Sequence, residues 1–385
     1  MSGNVEADSK FRRATPITSK INTPTMAAQK EYKVGILGAT GTVGQRFIVL
    51  LQNHPYMKIH TLGASSRSAG KTYKEATRWT QAIQMPAFVK EMQIYECKSE
   101  HFKECDVVFS GLDHDVAGPI EIDMLKANIP VFSNAKNYRR DETCPLIVPT
   151  VNTSHFDLIP HQRSLHGLDK GFLVTNANCS TTGIVVPLKA LQDAFGELAQ
   201  INIVTMQAIS GAGYPGVPSL DIIDNLVPFI GGEEDKIEWE TNKILGGLSA
   251  DNKSFDYLKN TKVAAQCNRV AVIDGHTECV QVTFAQRPAP SVEEVKRVLR
   301  EYTCEAQSLN CPSAPKHAIH VFEENDRPQP RLDRDVDGGY AVAVGRVRED
   351  KVFDIKFVAL SHNTVIGAAG SGILNAEVAI AKGLF

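Results

Sequence analysis

The 385 residues exceed what one hydrophobic core usually spans, roughly 250–300, so two domains are expected. Hydrophobic residues make up 43% and charged residues 22%, a balance that excludes wholesale disorder. Lys+Arg 41 against Asp+Glu 44 gives a net charge of -3, with no basic excess for nucleic acid, and no apolar window approaches the ~18–20 residues of a membrane-spanning helix.

Residues 1–30 are polar, rich in Ser, Thr and Pro and without apolar periodicity, and read as a disordered extension. Short apolar runs at 33–37 (KVGIL), 58–62, 106–109 (DVVF) and 129–132 (IPVF) then alternate with segments of helical length such as 45–51 and 116–126. That alternation implies βαβ units and an α/β fold with a Rossmann-type, doubly wound parallel sheet over 31–178. Beyond about Asn178 the pattern changes. Strands at 269–273 and 276–284 flank Asp274-Gly275, which predicts a two-residue hairpin, and 340–347 and 352–358 alternate as half-buried strands. A second, α+β domain over 179–361 with a largely antiparallel or mixed sheet follows. Residues 367–384 return to a helix.

The eight cysteines contain no C-x-x-C pair, which excludes zinc knuckles and thioredoxin-type motifs and suits a reducing, cytoplasmic compartment. His317 and His320 have no acidic or thiol neighbour and read as a loop or surface pair, so no metal site is expected.

The first motif with chemistry is Gly38-Ala-Thr-Gly41-Thr-Val-Gly44, directly after a strand and opening a helix. Glycines there let the backbone approach a pyrophosphate, whose charge sits at the helix N-terminus, with Gly38, Thr40, Gly41, Thr42 and Val43 as candidate contacts. A site for NAD wants an acid near the end of the second strand. The chain has Ser65, Ser66, Arg67 and Ser68 instead, a set suited to the 2′-phosphate of NADP(H). The second motif is Asn176-Ala-Asn178-Cys179-Ser180-Thr181-Thr182-Gly183. Asn178 is a candidate N-cap that puts Cys179 in the first turn of a helix, where the dipole favours a thiolate. Downstream, hairpin pairing of Ile273 with His276 would put Arg269 and His276 on one face, an imidazole beside a guanidinium.

Together these residues resemble the aspartate-semialdehyde dehydrogenases, in the branch found in fungi and archaea. The resemblance runs over residues 33–385 through GATGTVG, SSRSAGK, NANCSTTG, MQAISGAGYPG, GGEEDK, RVAVIDGH and GAAGSGILNAE, in that order. It implies that Cys179 is the nucleophile, His276 the general acid/base and Gln207 the residue orienting the acyl intermediate. It further implies that Arg269 grips the substrate carboxylate, Glu233 the amino group, and Lys236, Arg139 and Asn134 the phosphate. Gly370, Ser371 and Asn375 resemble the segment closing over the nicotinamide, and the last helix, 362–385, is expected to rejoin the nucleotide domain. The chain departs from the family pattern at Thr150, where glutamate is common, and at Ile366, where arginine is frequent. The implied reaction is the reversible, NADPH-dependent conversion of L-4-aspartyl phosphate to L-aspartate 4-semialdehyde and phosphate by a homodimer or homotetramer, in synthesis of threonine, methionine and isoleucine. Rival readings are a sister acyl reductase acting on N-acetyl-glutamyl phosphate or malonyl-CoA, which the Glu233/Arg269 pair argues against, and a non-catalytic NADP-binding regulator, which would not need Cys179.

Overall fold

The computed structural model describes residues 30–385. The extension read as disordered lies outside them but for Lys30. The first half builds a seven-stranded sheet from β1 (Tyr32–Leu37), β2 (Met57–Ala64), β3 (Ile94–Glu96), β4 (Val107–Ser110), β5 (Val131–Ser133), β6 (Leu146–Ile147) and β7 (Leu173–Asn176). Its order is β3-β2-β1-β4-β5-β7-β6 and every adjacent pair is parallel. Alternation sorts the side chains onto two faces. Val34, Ile36, Phe109, Phe132 and Val174 enter one core, and Leu37, Val108, Val131 and Leu173 the other. Helix α1 (Thr42–Leu51) supplies Phe47 and Ile48 to the first core, and α2 (His114–Lys126) supplies Met124 and Leu125 to the second.

The second half builds a six-stranded mixed sheet from β8 (Leu198–Gln207), β9 (Lys262–Arg269), β10 (His276–Phe284), β11 (Ile319–Val321), β12 (Val342–Glu349) and β13 (Ile355–Ser361), in the order β9-β8-β10-β13-β12-β11. Helix α3 (Cys179–Phe195), unbroken across Pro187, covers its inner face, where Ile184, Val185, Leu188 and Leu191 pack with Ile201, Ile203, Val280 and Phe357. Helix α4 (Glu233–Ile244) lies beside α3 and β9. The chain then returns: α5 (Gly370–Ala381) buries Ile373 and Leu374 in the same core as Phe47 and Phe109.

The predicted Asp274-Gly275 hairpin is not formed. β9 runs parallel to β8 and β10 antiparallel to it on the other edge, so β8 lies between them. Residues 270–275 cross the end of β8, where the Ile209 and Ser210 N–H groups donate to the carbonyls of Val272 and Ile273 at 2.8 and 3.1 Å. A turn signal is local. Inserting β8 gives both strands a ladder partner with an alternately buried face, which a two-strand ribbon lacks. Arg269 pairs with Gln207 and Thr277 with Met206, so Arg269 and His276 still converge, from the two sides of β8.

Candidate active site

The order β2-β1-β4 places the topological switch point between β1 and β4. Gly38 and Gly111 end these strands there. A Cβ on Gly38 would lie 2.8 Å from the Gly111 carbonyl oxygen, and one on Gly44 2.2 Å from the Gly38 oxygen, so only glycine lets α1 seat this closely. Helix α1 starts after Gly41 with no side-chain cap and no acid in its first turn, leaving its N–H groups for an anion. A cavity of about 440 Å³ opens here, lined by Gly38, Thr40, Gly41, Thr42, Val43, Ser65 and Arg67 among others. Ser66 is exposed beside it and Ser68 sits in the same turn, its N–H donating to the Ser65 carbonyl. Arg78 and Thr80, which the sequence reading did not single out, also line it.

A second cavity, about 450 Å³, shares Thr42, Val43, Leu112, Asp113, Ala212 and Gly213 with the first. Cys179, Asn134, Arg139, Glu233, Lys236 and Arg269 line it together, brought from four separate stretches of chain. Cys179 opens α3. Asn178 caps the helix, its Oδ1 accepting from the Ser180 and Thr181 N–H groups at 3.0 and 3.1 Å. The same side chain donates to Glu233 Oε1 at 2.6 Å. His276 lies behind the wall, fully buried, with Nε2 3.2 Å from Cys179 Sγ and Nδ1 accepting the Ala208 N–H at 3.0 Å. Arg269 Nη1 donates to the Ala208 carbonyl at 2.8 Å, and Gln207 Nε2 to Glu233 Oε1 at 3.3 Å from below.

Burial and the Glu233 charge push the Cys179 thiol up, to about 12, against the pull of Arg269, Arg139 and Lys236. Burial thus works against the thiolate expected at the helix start, where Asn178 already occupies two of the first-turn amides. Burial, then Arg269, lowers His276 to about 3, so the imidazole is neutral. Burial works against the Glu233 charge, yet Lys236, 2.8 Å away, and the Asn178 amide hold that carboxyl below its usual range. Burial also lowers Arg269, whose guanidinium stays charged.

Gly370, Ser371 and Asn375 do not line either cavity. They are buried on α5, Ser371 donating to the Ile366 carbonyl and Asn375 to Asn176 Oδ1 at 3.0 Å. Gly367 and Ala368, one turn earlier, form that wall. Thr150 and Ile366 are fully buried away from the cavities, and His317 and His320 are exposed. Two further residues carry no sequence signal. Glu240 accepts from Arg139 Nη1 at 2.8 Å and from the Asn178 N–H at 2.6 Å. Lys243 donates to the carbonyls of Arg139, Asp141 and Cys144.

A dinucleotide crevice opening onto a half-buried thiol beside a buried imidazole fits the class of nucleotide-dependent dehydrogenases. In agreement, the semialdehyde dehydrogenase NAD binding domain matches residues 33–159 and the semialdehyde dehydrogenase dimerisation domain residues 188–366. The aspartate-semialdehyde dehydrogenase of Schizosaccharomyces pombe is 62% identical over 91% of this chain and 99% of its own. The Candida albicans enzyme, crystallised with NADP, is 56% identical with a TM-score of 0.87 over 92% of this chain and 100% of its own. The Vibrio cholerae enzyme II, complexed with ASA, is 26% identical with a TM-score of 0.70 over 91% and 98%. This chain belongs to the aspartate-semialdehyde dehydrogenase family.

Proposed function

We propose that the enzyme converts L-4-aspartyl phosphate to L-aspartate 4-semialdehyde and phosphate with NADPH, reversibly, in the synthesis of aspartate-derived amino acids. One observation carries this reading: the nucleotide crevice and the cysteine cavity share a wall, and the second cavity brings Glu233, Arg139, Lys236 and Arg269 together with the Cys179 thiol. Those charges match a substrate with a carboxylate, an ammonium and a phosphate. Arg269 pairs with the carboxylate, Glu233 with the ammonium, and Lys236, Arg139 and Asn134 with the phosphate. Ser65 and Arg67 at the rim of the crevice, with Ser66 and Ser68 in the same turn, suit a 2′-phosphate, and α1 suits the pyrophosphate.

Sulfur of Cys179 attacks the acyl carbon held between Arg269 and Glu233, and phosphate departs toward Lys236 and Arg139, leaving a thioester. NADPH, when bound, supplies the hydride that reduces the acyl carbon. Gln207, beneath Glu233, keeps that carboxylate aimed at the ammonium. Breaking the C–S bond frees the aldehyde. NADPH formation from L-aspartate semialdehyde, followed with and without phosphate in wild type and Cys179→Ser, tests the reading. Phosphate-dependent turnover that the variant loses by at least about 10³-fold supports it. Wild type without turnover sinks it.

The outer face of the mixed sheet presents Asn202, Val204, Met206, Cys279, Gln281 and Val358, all only half-buried in one chain. A second copy covering that face makes a homodimer, and a pair of dimers a homotetramer, which sedimentation equilibrium distinguishes from a monomer. All eight cysteines are free, which suits the cytoplasm.

A further inference from the structure

We propose that Arg78 and Tyr214 form a clasp across the mouth of the nucleotide crevice, one that parts each time NADP(H) enters or leaves. The proposal rests on the crevice and its cofactor, and not on the acyl phosphate substrate.

The two side chains come from opposite halves of the chain. Arg78 follows β2 of the first sheet and Tyr214 follows β8 of the second. Both line the same cavity as Gly38, Gly41 and Thr42, yet both are exposed, Tyr214 by 56%. Residues that line a cavity and still meet solvent stand at its rim. There the Arg78 guanidinium carbon lies 5.1 Å from the centroid of the Tyr214 ring, a cation resting on an aromatic face. A contact of this kind at an exposed site contributes about 0.5–1 kcal/mol, a small share of the stability of a folded chain. Its position matters more, because it joins the two halves over the cofactor's path.

One arm of the clasp is anchored. Gln45 of α1 is buried, and its Nε2 donates to the carbonyls of Arg78 and Thr40 at 3.0 and 2.9 Å. Its Oε1 accepts from the Thr80 N–H at 2.8 Å. A single amide thereby ties the Arg78 backbone to the glycine loop that opens α1. The other arm has freedom. Gly213 and Gly216 flank Tyr214-Pro215 at φ 72° and 86°, a region glycine enters at little cost, and a Cβ on Gly213 would meet nothing within 4 Å. Tyr214 is also a wall of a neighbouring cavity of about 320 Å³, lined by Arg46, Gln81 and Asp274 among others. The ring therefore has a space to turn into when the clasp parts.

A clasp behaves differently from a nucleotide contact. A side chain that binds NADPH directly acts only in the complex, so its loss raises the dissociation rate and the Kd together. The Arg78–Tyr214 contact forms without nucleotide and slows passage in both directions. Its removal raises the association and dissociation rates by one common factor and leaves the Kd in place. The contact energy sets that factor at about 2–5-fold.

Stopped-flow fluorescence of NADPH binding to the full-length enzyme tests this. Tyr214→Ala and Arg78→Ala should each raise kon and koff about 2–5-fold while the Kd stays within about twofold of wild type. The double variant should be no faster than either single one, since both remove the same contact. Tyr214→Phe keeps the ring face and should exchange nucleotide as wild type does. Wild-type rates in both alanine variants overturn the clasp. So does a rise in koff alone, which would make the two residues ordinary nucleotide contacts, and so does a double variant in which the single effects multiply. Binding is read without substrate, so the outcome stands apart from failure of the reaction assignment.

Discussion

Asn178 touches more of the site than any residue the sequence singled out. Its side chain caps α3 and grips Glu233, while its backbone N–H binds Glu240. Cys179, one residue on, is thereby tied through its neighbour to both carboxylates. Gly367 confines it from the opposite side. A Cβ there would lie 3.1 Å from Cys179 Cβ and 3.2 Å from its carbonyl oxygen. Gly367→Ala should therefore displace the sulfur slightly and cut kcat by about 10–100-fold, with little change in the Kd for NADPH. Steady-state rates and a fluorescence titration check both parts. Arg67 is exposed at the rim of the nucleotide crevice. If it meets a 2′-phosphate, Arg67→Ser should weaken NADPH about 10–100-fold, the loss of a charged hydrogen bond, and leave NADH nearly unchanged. Equal weakening of both cofactors would remove Arg67 from that role.

Helix α4 organises the site as an element. Glu233, Lys236, Glu240 and Lys243 recur at spacings of three and four, so one face carries two cavity residues and then two that brace the loop holding Arg139. Removing Glu240 leaves Arg139 and the Asn178 N–H without their acceptor. Glu240→Ala should cost about 3–5 kcal/mol, as for a broken buried pair, and lower kcat/KM, while Glu240→Gln, which still accepts from Asn178, should recover part of both. Urea unfolding and steady-state rates separate the three proteins. The same helix marks the limit of what the sequence reveals. GATGTVG and NANCSTTG are legible because turn, helix start and functional group lie within a few residues. In EEDKIEWETNK only Glu233 and Lys236 stand out, through the GGEEDK motif; the rest looks like a solvated charge run, and only the sharing of a face with Ile237 and Ile244 hints that Glu240 and Lys243 are buried. The Asp274-Gly275 signal misled for the opposite reason. It is strong locally, but β8 supplies the competing partner from far upstream, and strand pairing across such a distance leaves no local trace.

At the scale of the whole molecule, buried titratable groups set the response to acid. Burial lowers His155, His276 and His362 to about 4, 3 and 4. Each takes a proton near 6.5 in the unfolded chain and resists it in the fold, so its contribution is full above 6.5 and is lost as pH falls toward about 4. Glu121 and Glu278, raised by burial, act in the other direction, costing stability as pH rises above 4.5. His155 isolates one histidine away from the cavities, its Nδ1 taking a hydrogen bond from Asn152. In His155→Asn the stability lost between pH 6.5 and 4.5 should be smaller than in wild type by about 2 kcal/mol, measured by urea unfolding at each pH. An unchanged loss would mean that the folded protein already protonates this ring.

The return of α5 to the first sheet also has a consequence for how the protein is made. All seven parallel strands have left the ribosome soon after Asn176 is added, yet the face carrying Val34, Phe109 and Phe132 keeps only part of its cover until Ile373 and Leu374 emerge. Throughout synthesis of the entire second sheet, the nascent first half displays an unfinished apolar surface, the condition under which growing chains aggregate or recruit chaperones. The cover that α5 gives to this face therefore arrives long after the strands beneath it.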